Sequence, residues 1–353
     1  MAEYKTVSRP KEPADAIIAV THRCNARCVM CHLWKSDAPD RLTPADMRKL
    51  PAALKTVNLS GGEPFLRDDL PQFVREVRTR CRRAQITIST NGCLPDRIAG
   101  QMREIRRIDP SVRLAISLDG IGVAHDRIRG LSGAFDRAVD LIDRLTAEGY
   151  RGLRLAMTIS RGNLDQVPAV AQLADRLGLE LGIVAAHAAE THLGVRADDV
   201  SLGQVPAWLA GAFANIIARW LRSWRPKHWL RAHFTWYTYS YLAGRPFRRQ
   251  STCRAGSEFF FLQADGTVYS CSVRGRAMGN IVDQDWAEIW CGPAAEAARQ
   301  FASRCPLRCW MICTARSVYR AHPLRVAAWV AWRKVLAHLR LFRLKSSVGS
   351  EET

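Results

Sequence analysis

The sequence predicts an α/β protein built on a parallel sheet, with a second, smaller cysteine-bearing unit behind it. Short apolar runs alternate with amphipathic stretches over residues 16–190, the order expected when each strand leads into a helical crossover. The chain has 353 residues, enough for one large α/β domain and a smaller one, and its 48% hydrophobic content supports a substantial core. Its eleven cysteines gather mainly at 24–31 and 253–313, which fits metal chemistry better than dispersed disulfides.

The elements follow in order. Residues 16–20 read as a short buried strand. Thr43 is placed to cap a helix that opens on Pro44 and runs to about residue 50. Strands follow at 56–59, 85–89, 112–118, 153–159 and 179–184, with helical stretches between them. The helical pattern is clearest where Phe135, Val139, Leu141, Ile142 and Leu145 recur. Residues 191–250 break the rhythm: they are helical in pattern and carry Trp208, Trp220, Trp224, Trp229 and Trp236 among arginines. Short strands are expected on either side of Asp265-Gly266, and one basic aromatic helix from Pro323, then a polar tail. The implied units are 1–15, 16–190, 191–250, 251–315 and 316–353.

Chemistry begins directly after the first strand. Cys24, Cys28 and Cys31 stand at a C-x3-C-x2-C spacing, one thiolate short of the four that ordinary iron–sulfur clusters use. One iron is then open to an exogenous ligand. A tetrahedral zinc site with His22 or His32 as fourth ligand is an alternative. A disulfide framework needs an oxidising compartment, of which the sequence gives no sign. After the second strand comes Gly61-Gly62-Glu63-Pro64, which alone reads as a turn with an N-capping acid.

Together the cysteine triad and this glycine loop resemble the radical S-adenosylmethionine (SAM) superfamily over roughly residues 16–190. The resemblance implies a partial (β/α)6 TIM-like barrel. It assigns Cys24, Cys28 and Cys31 to a [4Fe–4S] cluster whose open iron takes the amino and carboxylate groups of SAM. Reductive cleavage then gives methionine and a 5′-deoxyadenosyl radical, which removes a substrate hydrogen atom. Met30 falls where the family places an apolar residue near the adenine. Gly61 and Gly62 allow close backbone approach, and Glu63 or the backbone carbonyls accept from the methionine ammonium. Ser89 and Asn91 end the third strand, and Ser117 and Asp119 the fourth. The family uses such strand ends for ribose and carboxylate, although plain turns have the same composition. Arg129 is a second candidate for the carboxylate, against the simpler reading of a surface arginine in so basic a chain. An electron donor such as flavodoxin or ferredoxin is implied.

The second region opens with Cys253, Gly266 and Cys271 and resembles the SPASM/twitch auxiliary-cluster domain. Cys305, Cys309 and Cys313 follow at C-x3-C-x3-C, departing from the C-x2-C-x5-C-x3-C of the full pattern. The expectation is one auxiliary [4Fe–4S] cluster with five candidate thiols for four positions; a zinc ribbon is the alternative. Cys81, Cys93 and Cys291 read as small buried hydrophobes.

The formal net charge is +19, from 52 basic and 33 acidic residues, which favours anionic lipid, nucleic acid or phosphorylated substrates. Over 323–345, Ala328, Trp332, Val335, Leu339 and Phe342 recur at helical spacing beside Arg325, Arg333, Arg340 and Arg343. Such a helix either lies on an anionic membrane or packs on its own barrel. The Trp/Arg-rich stretch 208–236 reads as core-lining helix, and no nucleic-acid recognition motif is present. A polar start without a signal peptide, and no long apolar run, lead to a cytoplasmic expectation, peripheral to the membrane's inner face at most. The reading is an enzyme of hydrogen-atom abstraction, leading to dehydrogenation, epimerisation or cross-linking of a peptide, a sugar or polyol, or a lipid-linked glycan. The competing reading is a non-catalytic, zinc-stabilised nucleic-acid-binding protein.

Overall fold

The computed structural model describes residues 10–195, 205–245, 252–307 and 309–344. Six strands, β1 (Asp15–Thr21), β2 (Thr56–Gly61), β3 (Gln85–Thr90), β4 (Arg113–Ser117), β5 (Leu153–Ile159) and β6 (Glu180–Ala185), pair in parallel in chain order. Helices α1 (Leu70–Arg80), α2 (Pro95–Ile108), α3 (Val123–Arg129), α4 (Ala134–Ala147) and α5 (Val167–Arg176) make the crossovers. The result is an open, partial (β/α)6 barrel. The expected helix after Thr43 is a single 3-10 stretch, Pro44–Lys49, closed by a Thr43–Asp46 capping box.

Strand periodicity decides what lines the barrel. On β3, Ile86, Ile88 and Thr90 are buried under the helices, while Gln85, Thr87 and Ser89 alternate onto the other face. On β2, Val57 and Leu59 go outward and Asn58 and Ser60 inward, where Asn58 Oδ1 accepts a hydrogen bond from Ser89 Oγ at 3.2 Å. On these two strands the inner face is therefore polar.

The sheet does not stop at β1. Strand β7 (Phe259–Leu262) pairs in parallel with β1, and β8 (Thr267–Tyr269) and β9 (Ala277–Asn280) continue it antiparallel, giving the order β6-β5-β4-β3-β2-β1-β7-β8-β9. The strands flanking Asp265-Gly266 thus extend the barrel's own sheet. Phe260, Leu262, Trp286 and Trp290 join the same continuous core as Ile18 and Leu59. At the opposite edge, the helix Pro226–Leu242 covers β6, through Arg231 and Lys227 on Glu180, and the helix Ala207–Arg222 packs against it. The helix Pro323–His338 packs on both, burying Val326, Val330 and Ala337. The basic helix read from the sequence therefore does pack on its own protein, with Phe342 buried as well. The expected tail beyond 344 lies outside the described residues.

Asp15 ties the first strand to the C-terminal part. It is 2% exposed and accepts from Thr56 Oγ1 (2.6 Å), Arg316 Nη1 (3.2 Å) and Arg320 Nη1 (2.8 Å). Removing one partner of a buried pair leaves charge uncompensated; because both arginines keep some solvent, Asp15→Ala should cost about 2–3 kcal/mol, less than the roughly 3–5 kcal/mol of a fully buried pair. Urea denaturation of the apoprotein checks this; an unchanged midpoint would show the tie to be dispensable.

Candidate active site

The cysteine loop after β1 is clamped from two sides by main chain. Arg27 and Val29 N–H donate to the carbonyls of Arg129 and Ile128, both at 2.9 Å, and His32 N–H donates to Leu193 at 2.9 Å. Gly130 ends α3 at φ 60°, and a Cβ there would lie 2.4 Å from Arg27 O. A Cβ on Gly62 would lie 2.1 Å from Arg23 O. Only glycine permits either approach. Gly62 N–H also donates to Thr21 O and Glu63 N–H to Arg23 O, so β1–β2 pairing runs on into the loop itself.

A cavity of about 330 Å³ opens at the carboxyl ends of the strands. Cys24, Cys28 and Cys31 line it together with Gly61, Gly62, Ser89, Asn91, Ser117 and Met30. Two candidates from the sequence lie behind the wall instead. Glu63 is fully buried, and its carboxylate accepts from Thr90 Oγ1 (2.9 Å), Asn91 N (2.7 Å) and Phe65 N (3.2 Å). It braces the end of β2 against the end of β3, and burial pushes its pKa up to about 7. Asp119 is also fully buried; it accepts from Thr158 N (2.8 Å) and pairs with Arg129 Nη2 at 2.5 Å.

Arg129 is not a surface residue. It is 8% exposed, lines the cavity, and places Nη1 3.7 Å from Cys28 Sγ. Asp119 and Cys28 hold its guanidinium charged against burial. Beside it, His125 Nδ1 accepts from Asp119 N–H at 3.0 Å, and burial pulls its pKa down to about 3, so the imidazole adds no second positive charge. Burial pushes the Cys24 thiol up to about 12 and Cys31 to about 11. Metal loading must therefore displace protons from Cys24 and Cys31, and the Arg129 guanidinium favours the thiolate form of Cys31.

Cys253, Cys271, Cys305, Cys309 and Cys313 all line a second, smaller cavity. The two cavities share Ile17, Ser272, Val273 and Met311 as a common wall. Cys313 is buried and its thiol is pushed well up by that burial. Cys81 and Cys93 are buried, as expected; Cys291 is exposed, contrary to expectation. His22 is taken by Asp40 (3.2 Å) and His32 by Gly194 O (3.2 Å), and neither lines the first cavity. Among the described residues no three His, Cys, Asp or Glu side chains converge as a single-ion site. Three cysteines line the first cavity and five line the second.

Sequence reading missed Thr158, His187, Ser272, Val273 and Met311 on the cavity wall. Thr158 follows the same strand-end rule that found Ser89 and Ser117. The others arrive from distant parts of the chain and carry no local signal.

A radical SAM superfamily model matches residues 18–174, and a SPASM iron–sulfur cluster-binding domain model matches residues 253–314. The AdoMet-dependent heme synthase of Methanosarcina barkeri is 27% identical over 296 residues, covering 77% of this chain and 80% of that one. The Fe-coproporphyrin III synthase of the same organism is 34% identical over 174 residues, covering 47% and 42%. Streptococcus suis SuiB bound to SAM shares the fold, with a TM-score of 0.57 at 16% identity over 82% of this chain and 68% of that one. Across its first matched relatives the chain spans about half of their length. The chain thus carries a radical SAM domain over residues 18–174 followed by a SPASM domain over residues 253–314. Such a core takes a [4Fe–4S] cluster and SAM, and a SPASM domain takes auxiliary iron–sulfur clusters.

Glu63 gives a pH test of the brace. Its folded pKa, about 7, lies above the ordinary carboxyl value of 4.5, so its contribution to stability is present below 4.5 and is lost as pH rises to 7. Between those limits wild-type apoprotein should lose on the order of 3 kcal/mol relative to Glu63→Gln. Parallel pH profiles of the two proteins would refute the buried, proton-holding carboxyl.

Proposed function

We propose that the chain abstracts a hydrogen atom from its substrate with SAM as the radical source. A [4Fe–4S] cluster on Cys24, Cys28 and Cys31 would bind the amino-acid end of SAM through its open iron and supply the electron that yields methionine and a 5′-deoxyadenosyl radical. The carrying observation is the pair of thiol sets on either side of one wall, at the strand ends where barrel enzymes bind ligands.

The chain's own groups do the placing. Gly61 and Gly62 line the cavity, and backbone carbonyls there would accept from the ammonium. Arg129 is positioned for the carboxylate, with Asp119 acting through it as a positioning residue. Asn91, Ser89 and Ser117 offer amide and hydroxyl groups to the ribose, and Met30 an apolar surface to the adenine. Four of Cys253, Cys271, Cys305, Cys309 and Cys313 would hold the auxiliary cluster, near enough to accept an electron from substrate or to position it. Dehydrogenation, epimerisation or cross-linking of a peptide, a sugar or polyol, or a lipid-linked glycan are the outcomes in view. The first electron would come from a low-potential donor such as flavodoxin or ferredoxin, in the reducing cytoplasm that keeps such thiols reduced. The zinc-stabilised nucleic-acid reading is disfavoured, because the matched second domain is an iron–sulfur one.

Anaerobic reconstitution tests this directly. Wild type should take up two clusters and release 5′-deoxyadenosine slowly under strong reductant, without substrate. Cys24→Ala/Cys28→Ala/Cys31→Ala should lose about half the iron and all cleavage, keeping the second cluster. Full iron in the triple variant, or colourless stoichiometric zinc in wild type, would sink the assignment.

A further inference from the structure

The helix Pro323–His338 is apolar on the face turned to water, where a helix at the rim of a protein is ordinarily polar. Its buried side carries Val326, Val330 and Ala337. On the far side Leu324, Ala328, Trp332, Val335 and Leu339 follow at spacings of three or four residues, and all are exposed. Leu324 is 84% exposed, Trp332 62% and Leu339 61%. The preceding helical pair adds Trp224, 83% exposed, with the Lys334 ammonium 5.0 Å from its ring.

Charge around this ridge has one sign. No Asp or Glu occurs between residues 205 and 245, or between 309 and 344. Arg219, Lys227 and Arg231 are engaged with Asp175 and Glu180 on the barrel. Arg225, Arg325, Arg340 and Arg343 are exposed. An apolar ridge with two indoles, rimmed by guanidiniums and free of carboxylates, complements an anionic lipid surface: the apolar groups enter the headgroup boundary while the arginines meet phosphates. A nucleic acid would answer the charge and leave Leu324, Val335 and Leu339 without an apolar partner. A second copy would bring the same positive face against this one.

We propose that this face docks reversibly on bilayers containing anionic phospholipid. The contact is peripheral; among the described residues no helix is long and apolar enough to cross a membrane. Docking is independent of the radical chemistry, and the experiment separates the two.

Full-length, cluster-reconstituted protein is floated with phosphatidylcholine vesicles, with and without phosphatidylglycerol. It should rise only with phosphatidylglycerol at about 0.1 M salt, where the Debye length is about 10 Å, and be released at about 1 M, where it is about 3 Å. Trp332→Glu/Leu339→Glu should lower the bound fraction about tenfold or more, with iron content, melting temperature and SAM cleavage retained. Arg340→Glu/Arg343→Glu should do likewise at low salt. Failure to float with either vesicle overturns the proposal, as does undiminished binding by the Trp332→Glu/Leu339→Glu protein. Two further results overturn it: an oligonucleotide that strips wild type from the vesicles yet binds the Trp332→Glu/Leu339→Glu protein equally well, and a dimer that those substitutions dissolve without any lipid binding. Wild type that floats but leaves SAM intact supports docking and counts only against the radical reading.

Discussion

Strand β1 is hydrogen-bonded to β2 along one edge and to β7 along the other, and both thiol sets depend on that strand for their position. Its C-terminal end carries the Cys24–Cys31 loop. Its neighbour β7 leads, through the hairpin to β8, toward Cys271, and Ile17 stands in the wall between the cavities. A shift of register by one residue would turn Ile17 out of that wall and Ile18 out of the core. Register is guarded from below by Asp15, which binds β2 through Thr56 and the helix Ile312–Ala321 through Arg316 and Arg320. The spacing between the two proposed clusters is thus set by sheet geometry rather than by a flexible linker.

Around the first cavity, burial and charge are arranged so that polar groups hold one another. Glu63 satisfies three donors at the ends of β2 and β3, and Asp119 satisfies Thr158 while fixing Arg129. Neither carboxylate has to meet a ligand directly to matter. What they fix is the aim of groups that do line the cavity: Asn91, whose backbone is held by Glu63, and Arg129, whose guanidinium is held by Asp119. Such support is what keeps a site rigid when its ligands are absent.

The barrel was legible because its signals are local. Period-2 runs, Pro at helix starts and the strand-end clusters at Ser89-Asn91 and Ser117-Asp119 each depend on neighbours a few residues away. Cys24, Cys28 and Cys31, with Gly61 and Gly62, were legible for the same reason. What escaped was set by long-range pairing. Nothing near Phe259 announces that it will lie beside Asp15, and so the SPASM hairpin was expected as a separate unit rather than a continuation of the sheet. Arg129 was misjudged because composition argues for surface arginines, whereas its burial is compensated by Asp119, a partner that only the fold brings to it. Glu63 and Asp119 were placed in the right neighbourhood but one layer too near the ligand, since a sequence does not say on which side of a strand end a carboxylate turns.

The C-terminal helix packs on the protein and still carries apolar residues on its outer side. Packing on the barrel and presenting a face to lipid were set against each other because an amphipathic pattern has one apolar side. This helix has two. Val326, Val330 and Ala337 serve the protein, and Leu324, Trp332, Val335 and Leu339 face outward along the same helix. Phe342 lies past the helix end, where the chain turns at Arg340 with φ 59°, and so it leaves the stripe that helical spacing assigned to it and enters the core. A pattern extrapolated through a helix terminus loses its phase there. Inside the helix the phase holds, and it puts the exposed apolar residues within one arc of the surface, where they can act together.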